Sequence, residues 1–393
     1  PTLPVLSRPR EIDTQFFVLY GAGDLGKMMY DYFEKINVHV DMVLDKHPEN
    51  YRQDKFWKKK KIKVGQANYR NDTVQASSTI AVCISTVPYS DVYNDLYNNG
   101  WSKIYPVYDI SEAYTDRHPL SNGWFAENIE KDLPFMEAVV KTLHDDESRA
   151  HYLQFVAWYC LRQDWIFEGT TISKDNRYFI KELTDLLTED EVFVDVGACT
   201  GETILKFAEL TNYKFKYIVG IEPDNKNYSK LLSTWLYKLR PQSPPHSIML
   251  YKIGIGNIKK ARVPFFRDSG YCSCFTRLGQ RTANVTTIDH LWHSIDSTYT
   301  TLSVNPNITI IKYHIEGMEL EALEGSEKTL QEHRPIILVS CYHNRDSLHK
   351  IPIWVKDKLQ SYRLIFRLHG WGGNTNAVLY GIPEDRYRAK NCL

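Results

Sequence analysis

Apolar and polar positions along this chain form two α/β stretches, each entered through an apolar run that breaks into glycines. In the first, Phe16 to Tyr20 predicts a buried strand leading into Gly21-Ala22-Gly23-Asp24-Leu25-Gly26, a helix to about Ile36 and a second strand from Val40 to Asp45. Thr79 to Ser85 and Ile104 to Val107 add two more strands around a helix near Asp91 to Asn99. From about Ser111 to Asp190 the period changes. Phe135, Val139, Val140 and Leu143, then Tyr152, Phe155, Val156 and Tyr159, recur at three and four, which predicts helices in a connector packing both domains together.

The second stretch opens with Val192 to Val196, a strand running into Gly197-Ala198-Cys199-Thr200-Gly201. Strands follow at Tyr217 to Glu222, Ile248 to Ile253, Arg262 to Phe266, Val285 to Asp289 and Pro335 to Cys341, and another opens the stretch Ile310 to Glu319, with a helix carrying Leu231, Leu232, Trp235 and Leu236 among them. This alternation predicts a largely parallel sheet with helices on both faces. Arg363 to His369 and Ala377 to Ile382 are joined by a short Gly-Trp-Gly-Gly-Asn-Thr-Asn turn, and strands joined so closely must be antiparallel. The expected division is a small Rossmann-like domain over 1–115, a helical connector over 116–175 and a larger α/β domain over 176–393.

A chain of 393 residues is long for one compact unit and supports this division. Lysine plus arginine and aspartate plus glutamate stand at 48 each, which removes the global electrostatic case for nucleic acid or an acidic membrane. The one basic block, Lys58 to Lys61, reads as a solvated loop. Seven cysteines without a Cys-x-x-Cys pair argue against a disulfide framework or structural zinc and favour the reduced cytoplasm. No run has the length to span a membrane, and a start at Pro1-Thr2-Leu3-Pro4 reads as trimmed or processed and without signal-peptide shape.

Both glycine turns sit where open α/β sheets bind ligands, at strand carboxyl ends. Gly21, Gly23 and Gly26, with Asp45 about twenty residues beyond, satisfy the dinucleotide pattern in its strand-turn-helix context. The segment has about four strands, only half of a full dinucleotide fold, and no substrate domain with a proton donor follows. The segment resembles the small Rossmann-like domain at the front of sugar-modifying acetyltransferases, which implies a nucleotide or nucleotide-sugar as ligand or a docking module only, and an NAD(P)-dependent sugar-modifying enzyme is the weaker alternative. In the second turn Asp195 precedes the glycines and Glu202 follows them, which suits a sulfonium and ammonium better than a pyrophosphate. Glu222, ending the next strand, is placed to accept both hydroxyls of a ribose.

Val192 to Asp224, with Asp-Val-Gly-Ala-Cys-Thr-Gly-Glu-Thr and Gly-Ile-Glu-Pro-Asp, resembles the FkbM family of methyltransferases. Ile310 to Glu319, the Tyr342-His343 pair, Asp346, the Thr-Ile-Asp segment at 287–289 and the serine-containing loop at 268–275 extend the resemblance over roughly the second half of the chain. Asn176-Arg177-Tyr178-Phe179 resembles the Tyr-Phe helix that leads into the family's cofactor site, and Arg367 with His369 a basic pair the family often carries. The resemblance implies a class I methyltransferase sheet with a terminal antiparallel hairpin, and S-adenosylmethionine held by Asp195, Gly197, Ala198, Gly201 and Glu222, with Tyr178 or Phe179 over the adenosine. The expected activity is O-methylation of a sugar, nucleotide-sugar or glycan hydroxyl.

His343 is the expected acceptor base, with Glu316 and His314 beside it. His314 departs from the family, which usually carries aspartate there, and the chain is therefore an active variant or a catalytically inactive scaffold binding nucleotide and donor. A divalent metal would suit the imidazole and carboxylate donors of His314, Glu316 and His343, although no metal is required for the chemistry. The expected partner is a small-molecule or glycan acceptor, and a homo-oligomer is left open.

Overall fold

The computed structural model describes residues 9–68, 71–126, 129–175, 177–267, 273–294, 306–372 and 376–391. Asn176, the loop residues 268–272 and the turn residues 373–375 lie outside that set. The chain divides into two compact units, residues 1–130, 150–173 and 368–376 in the first and 131–149, 174–367 and 377–393 in the second.

The first unit is built on β1 (Phe16–Tyr20), β2 (Met42–Asp45), β3 (Gly65–Gln66), β4 (Ser78–Val82) and β5 (Lys103–Pro106). They form a parallel sheet in the order β3-β2-β1-β4-β5, one strand more than the sequence pattern gives. Phe17 and Leu19 are buried, as are Ile80 and Val82, as a parallel sheet covered on both faces requires. Gly21 has φ +106 and its missing Cβ makes room for the Cys83 carbonyl, while a Cβ on Gly26 would lie 1.9 Å from the Gly21 oxygen. Gly21 and Gly26 are thus required by the protein's own backbone, whereas a Cβ on Gly23 would meet only the Tyr51 hydroxyl at 3.6 Å.

In the second unit β6 (Val192–Val196), β7 (Tyr217–Ile221) and β8 (Ile248–Tyr251) come first. A separate four-stranded sheet follows from β9 (Gly254–Ile255), β10 (Lys260–Phe266), β11 (Cys274–Phe275) and β12 (Arg281–Thr286). Then β13 (Ile310–Tyr313), β14 (Ile336–Ser340), β15 (Tyr362–Arg367) and β16 (Val378–Pro383) complete the large sheet, in the order β15-β16-β14-β13-β6-β7-β8. The final two strands pair antiparallel as expected, and β16 inserts between β14 and β15. The order reverses between β6 and β13, which places the crevice at the carboxyl ends of those strands.

Four local expectations change. Lys58 to Lys60 form the last turn of the helix Lys55–Lys60, not a loop, and Lys61 follows as its left-handed C-cap. The strand expected over Val285 to Asp289 ends at Thr286, and Ile288–Ser294 is helical. Tyr178 stands at φ +70 in a turn, and the helix that follows covers only Lys181–Thr184. Arg367 is held by Asp145, Glu147 and Glu182 and by the Ser148 hydroxyl, so it anchors β15 to the start of the long helix Asp146–Leu161 and to the segment before β6.

Candidate functional site

Apart from Tyr178 and Phe179, the candidate side chains of the second unit lie at or just past the carboxyl end of β6, β7, β13 or β14. After β6 the chain turns sharply: Gly197 and Ala198 both donate backbone N–H bonds to the Ile221 carbonyl of β7, at 2.9 and 3.0 Å. Gly197 has φ +80, and a Cβ there would lie 1.9 Å from the His314 carbonyl oxygen. The sequence suggests a glycine that clears a ligand's path; the end of the neighbouring strand requires it instead. Gly201, also left-handed at φ +87, opens the helix Glu202–Leu210, with Glu202 exposed in its first turn.

Asp195 does not present a free charge to the crevice. It lies directly opposite Lys312 on β13, is fully buried and takes the Lys312 ammonium at 2.5 Å, while Lys312 also donates to the Gly197 carbonyl at 3.1 Å. Burial drives the Asp195 carboxyl upward and Lys312 pulls it back. Asp195 and Glu202 therefore do not single out a cationic ligand, because one is neutralised by Lys312 and the other is solvated. The sequence signal for Lys312 is a charged residue inside an otherwise apolar strand, which requires a partner on an adjacent strand.

Glu222 is 5% exposed and both of its oxygens face backbone donors: Oε2 accepts the Cys199 N–H and Oε1 the Asp224 N–H, each at 2.9 Å. Burial pushes its pKa up to about 7 against the pull of these two bonds. Each carboxylate oxygen retains a second lone pair, which is what a ribose diol needs. Tyr178 is buried, with its hydroxyl at 2.8 Å from His314 Nδ1 and 2.9 Å from Ser340 Oγ. Phe179 is buried and packs against Phe193 and Phe207 in the core.

The other half of the crevice is a connected set of ionisable groups. His343 is buried just past β14, its Nδ1 2.9 Å from Glu319 Oε1 and its Nε2 3.7 Å from Glu316 Oε2. Glu319 is itself fixed by the backbone N–H groups of Ile315 and Gly317, at 2.9 and 3.0 Å. Burial alone would depress His343, but the Glu319 and Glu316 carboxylates outweigh it and its pKa is raised. Glu316 is held down to about 2: its burial raises it, and the charge of His343, the His314 hydrogen bond and Arg177 overcome that. His314 stacks on His343 with ring centroids 5.1 Å apart, and burial drops it to about 3, so it is a neutral imidazole. Glu316 sits at φ +56, a conformation costly for a non-glycine residue, in the turn that brings its carboxylate to both imidazoles.

The structure thus gathers His314, Glu316 and His343, and adds Glu319, Lys312 and Arg177, which the sequence pattern does not single out. Ring nitrogens of the two histidines and a Glu316 oxygen all lie within 4.8 Å of one another, a donor set of the kind divalent metals use. Against a cation there stands the Arg177 guanidinium, 3.4 Å from His314 Nδ1.

In the first unit, Asp45 Oδ2 accepts the Ala22 N–H and Oδ1 the His47 N–H, both at 2.8 Å. A small pocket beyond β4 and β5 is lined by Leu25, Ile84, Tyr89, Tyr108, Trp158 and Trp371 among others, and by no charged side chain. None of Gly21, Gly23, Gly26 and Asp45 lines that pocket.

Residues 195–364 match the model of the methyltransferase FkbM domain. Among solved structures, the chain is similar to methyltransferase FkbM from Methylobacillus flagellatus KT, with 17% identity and a TM-score of 0.61 over 96% of this chain and 91% of that one. That likeness concerns the fold. An rRNA methylase from Streptococcus thermophilus (13% identity, TM-score 0.30, 50% of this chain and 89% of that one) and precorrin-6y C5,15-methyltransferase from Geobacter metallireducens (12%, 0.30, 53% and 90%) align more weakly and carry no argument. No curated protein matches the chain. Among the described residues no helix is long and apolar enough to cross a membrane.

Proposed function

We propose, for a chain whose residues 195–364 match the methyltransferase FkbM domain, that S-adenosylmethionine is the donor and that its methyl group goes to a hydroxyl oxygen of a sugar, nucleotide-sugar or glycan. The donor occupies the crevice over β6 and β7, with its ribose on Glu222 and its methionine end toward the Gly197 turn. The acceptor enters over β13 and β14. The observation that carries this reading is the Glu319–His343 pair at 2.9 Å, buried at the strand ends beside that turn.

The sulfonium is already an activated methyl source, so the protein contributes chiefly alignment and a place for the proton. The Glu319 carboxylate lies 2.9 Å from Nδ1 of His343, too poorly aligned for a hydrogen bond, and its charge favours the proton on that nitrogen, which leaves the buried Nε2 to accept the hydroxyl proton as the oxygen attacks. The methyl carbon forms its bond to oxygen, the carbon–sulfur bond breaks toward S-adenosylhomocysteine, and the proton ends on His343. Glu316, anionic at neutral pH, stabilises the imidazolium that results.

The test is methyl transfer from labelled S-adenosylmethionine to a panel of sugars, nucleotide-sugars and glycans, with and without a chelator. Transfer to hydroxyl oxygens, lost in His343→Asn and indifferent to chelation, is the expected outcome. Donor binding with no transfer to any acceptor would make the protein a scaffold, and activity abolished by chelation and restored by a divalent ion would turn the same three side chains into a metal site.

A further inference from the structure

Among the described residues, Arg177 is the cation of the second unit's crevice that no carboxylate neutralises directly. Lys312 is paired with Asp195 and His343 with Glu319. The Arg177 guanidinium, by contrast, forms no ion pair with any carboxylate among the described residues. It rests against the rings of Tyr178 and Tyr342, 4.8 and 5.7 Å from their centroids, with Nη2 donating to the Tyr342 hydroxyl at 3.0 Å and 3.4 Å from His314 Nδ1. Its Nε is buried with no hydrogen-bond partner among the described residues. A guanidinium stays charged, and its planar fork matches a carboxylate or phosphate with two parallel bonds. The aromatic faces position it without an ion pair, and Glu316, the carboxylate that feels its charge, is engaged with the imidazoles of His314 and His343 at 3.3 and 3.7 Å instead.

Two ligands of the crevice could bring the missing anion, the donor through its methionine carboxylate and the acceptor through an acidic group. The partners of Arg177 lie past β13 and β14, whereas Glu222 ends β7, on the far side of β6. Strands are about 4.8 Å apart, and Tyr342, to which the guanidinium donates, follows β14, two strands beyond the β6 turn that takes the donor's methionine end, so the guanidinium reaches toward the acceptor side. We propose that Arg177 is a specificity residue that binds a carboxylate or phosphate of the acceptor, which makes the substrate an acidic sugar: a uronic acid, a sugar phosphate or a nucleotide-sugar. This rests on the reading of the crevice as a methyl-transfer site, and it narrows that reading to anionic acceptors.

The experiment uses the full chain saturated with S-adenosylhomocysteine. Binding of glucuronate and of glucose 6-phosphate, with glucose as the neutral control, is followed by ligand-observed NMR. The wild type should prefer both charged probes to glucose. Arg177→Gln should erase the preference, weakening the charged probes about tenfold, the loss of one charge-assisted contact, while leaving the dissociation constant of S-adenosylhomocysteine unchanged within about twofold. His314→Asp, which sets a carboxylate beside the guanidinium, should erase the same preference with Arg177 in place, so the proposal stays testable if the glutamine variant does not fold. No preference in the wild type, or a preference that survives either variant, overturns the proposal. A loss of S-adenosylhomocysteine affinity in Arg177→Gln overturns it in favour of the donor's carboxylate. Failure of the wild type to bind S-adenosylhomocysteine at all would instead overturn the methyl-transfer reading.

Discussion

At the scale of single residues, the crevice depends on charges that neutralise one another across strands. Lys312→Ala would leave Asp195 buried and unpaired, with a second oxygen that already has no partner among the described residues. Breaking such a pair by removing one member costs about 3–5 kcal/mol, so chemical denaturation should show a loss of that size; a change below about 1 kcal/mol would mean the pair is hydrated. His343 gives a pH signature. Its pKa is raised above 6.5 in the folded state, so it stabilises the fold below pH 6.5 and that contribution is lost as pH rises through the raised value. Catalysis needs the opposite form: kcat/KM for the acceptor at saturating donor should climb from about pH 6 and level off once His343 is neutral. A profile that stays flat from about pH 6 to 9 would remove His343 as the base. Which residues can be read in advance follows from what kind of signal each leaves. His343 and Glu316 are legible because polar groups at the end of an apolar strand stand out. The roles of Glu319 and Lys312 are not, because they depend on which backbone amides and which neighbouring strand each meets, and neither is visible along one strand.

At the scale of elements, the helix Asn225–Thr234 is tied to the donor side through one residue. Asp224 caps it, accepting from Lys226 and Asn227 at 2.7 and 2.9 Å, and its own N–H holds Glu222. Asp224→Ala should cost about 0.5–2 kcal/mol of stability through the cap, read by thermal or chemical unfolding, while leaving the Glu222 contact with its backbone. Unchanged stability would show that the helix is held by packing alone. The strands of both parallel sheets are readable from their apolar runs, since a parallel sheet buries both faces. Element ends are less so: Ile288 is apolar in either reading, and only the pairing of β12 with β9, which stops at Thr286, fixes where the strand gives way to helix. The Tyr-Phe segment departs from expectation for a related reason. Tyr178 in a helical spacing looks like one more core position, yet its backbone is left-handed and its hydroxyl joins His314 to Ser340.

At the scale of the whole molecule, the two glycine turns show why spacing alone does not assign a ligand. In both units the acid ending the second strand accepts a backbone N–H from the turn, Asp45 from Ala22 and Glu222 from Cys199. The motif is therefore first a device for closing a strand-to-helix turn. What separates the units is what surrounds it: an apolar pocket in the first, and in the second a buried histidine with its carboxylates beside a guanidinium that lacks an ion pair among the described residues. A net charge of zero over 393 residues conceals that local contrast.

The central claim, that the crevice at the ends of β6 and β7 holds the methyl donor on Glu222, is tested most directly by calorimetric titration of S-adenosylhomocysteine into the full chain and into Glu222→Ala, with NADH as competitor. The expected result is saturable binding to the wild type that NADH does not displace, weakened by about 1–3 kcal/mol in the variant through loss of the ribose hydrogen bonds. Absence of binding, displacement by NADH, or an unchanged dissociation constant in a folded Glu222→Ala protein would contradict it.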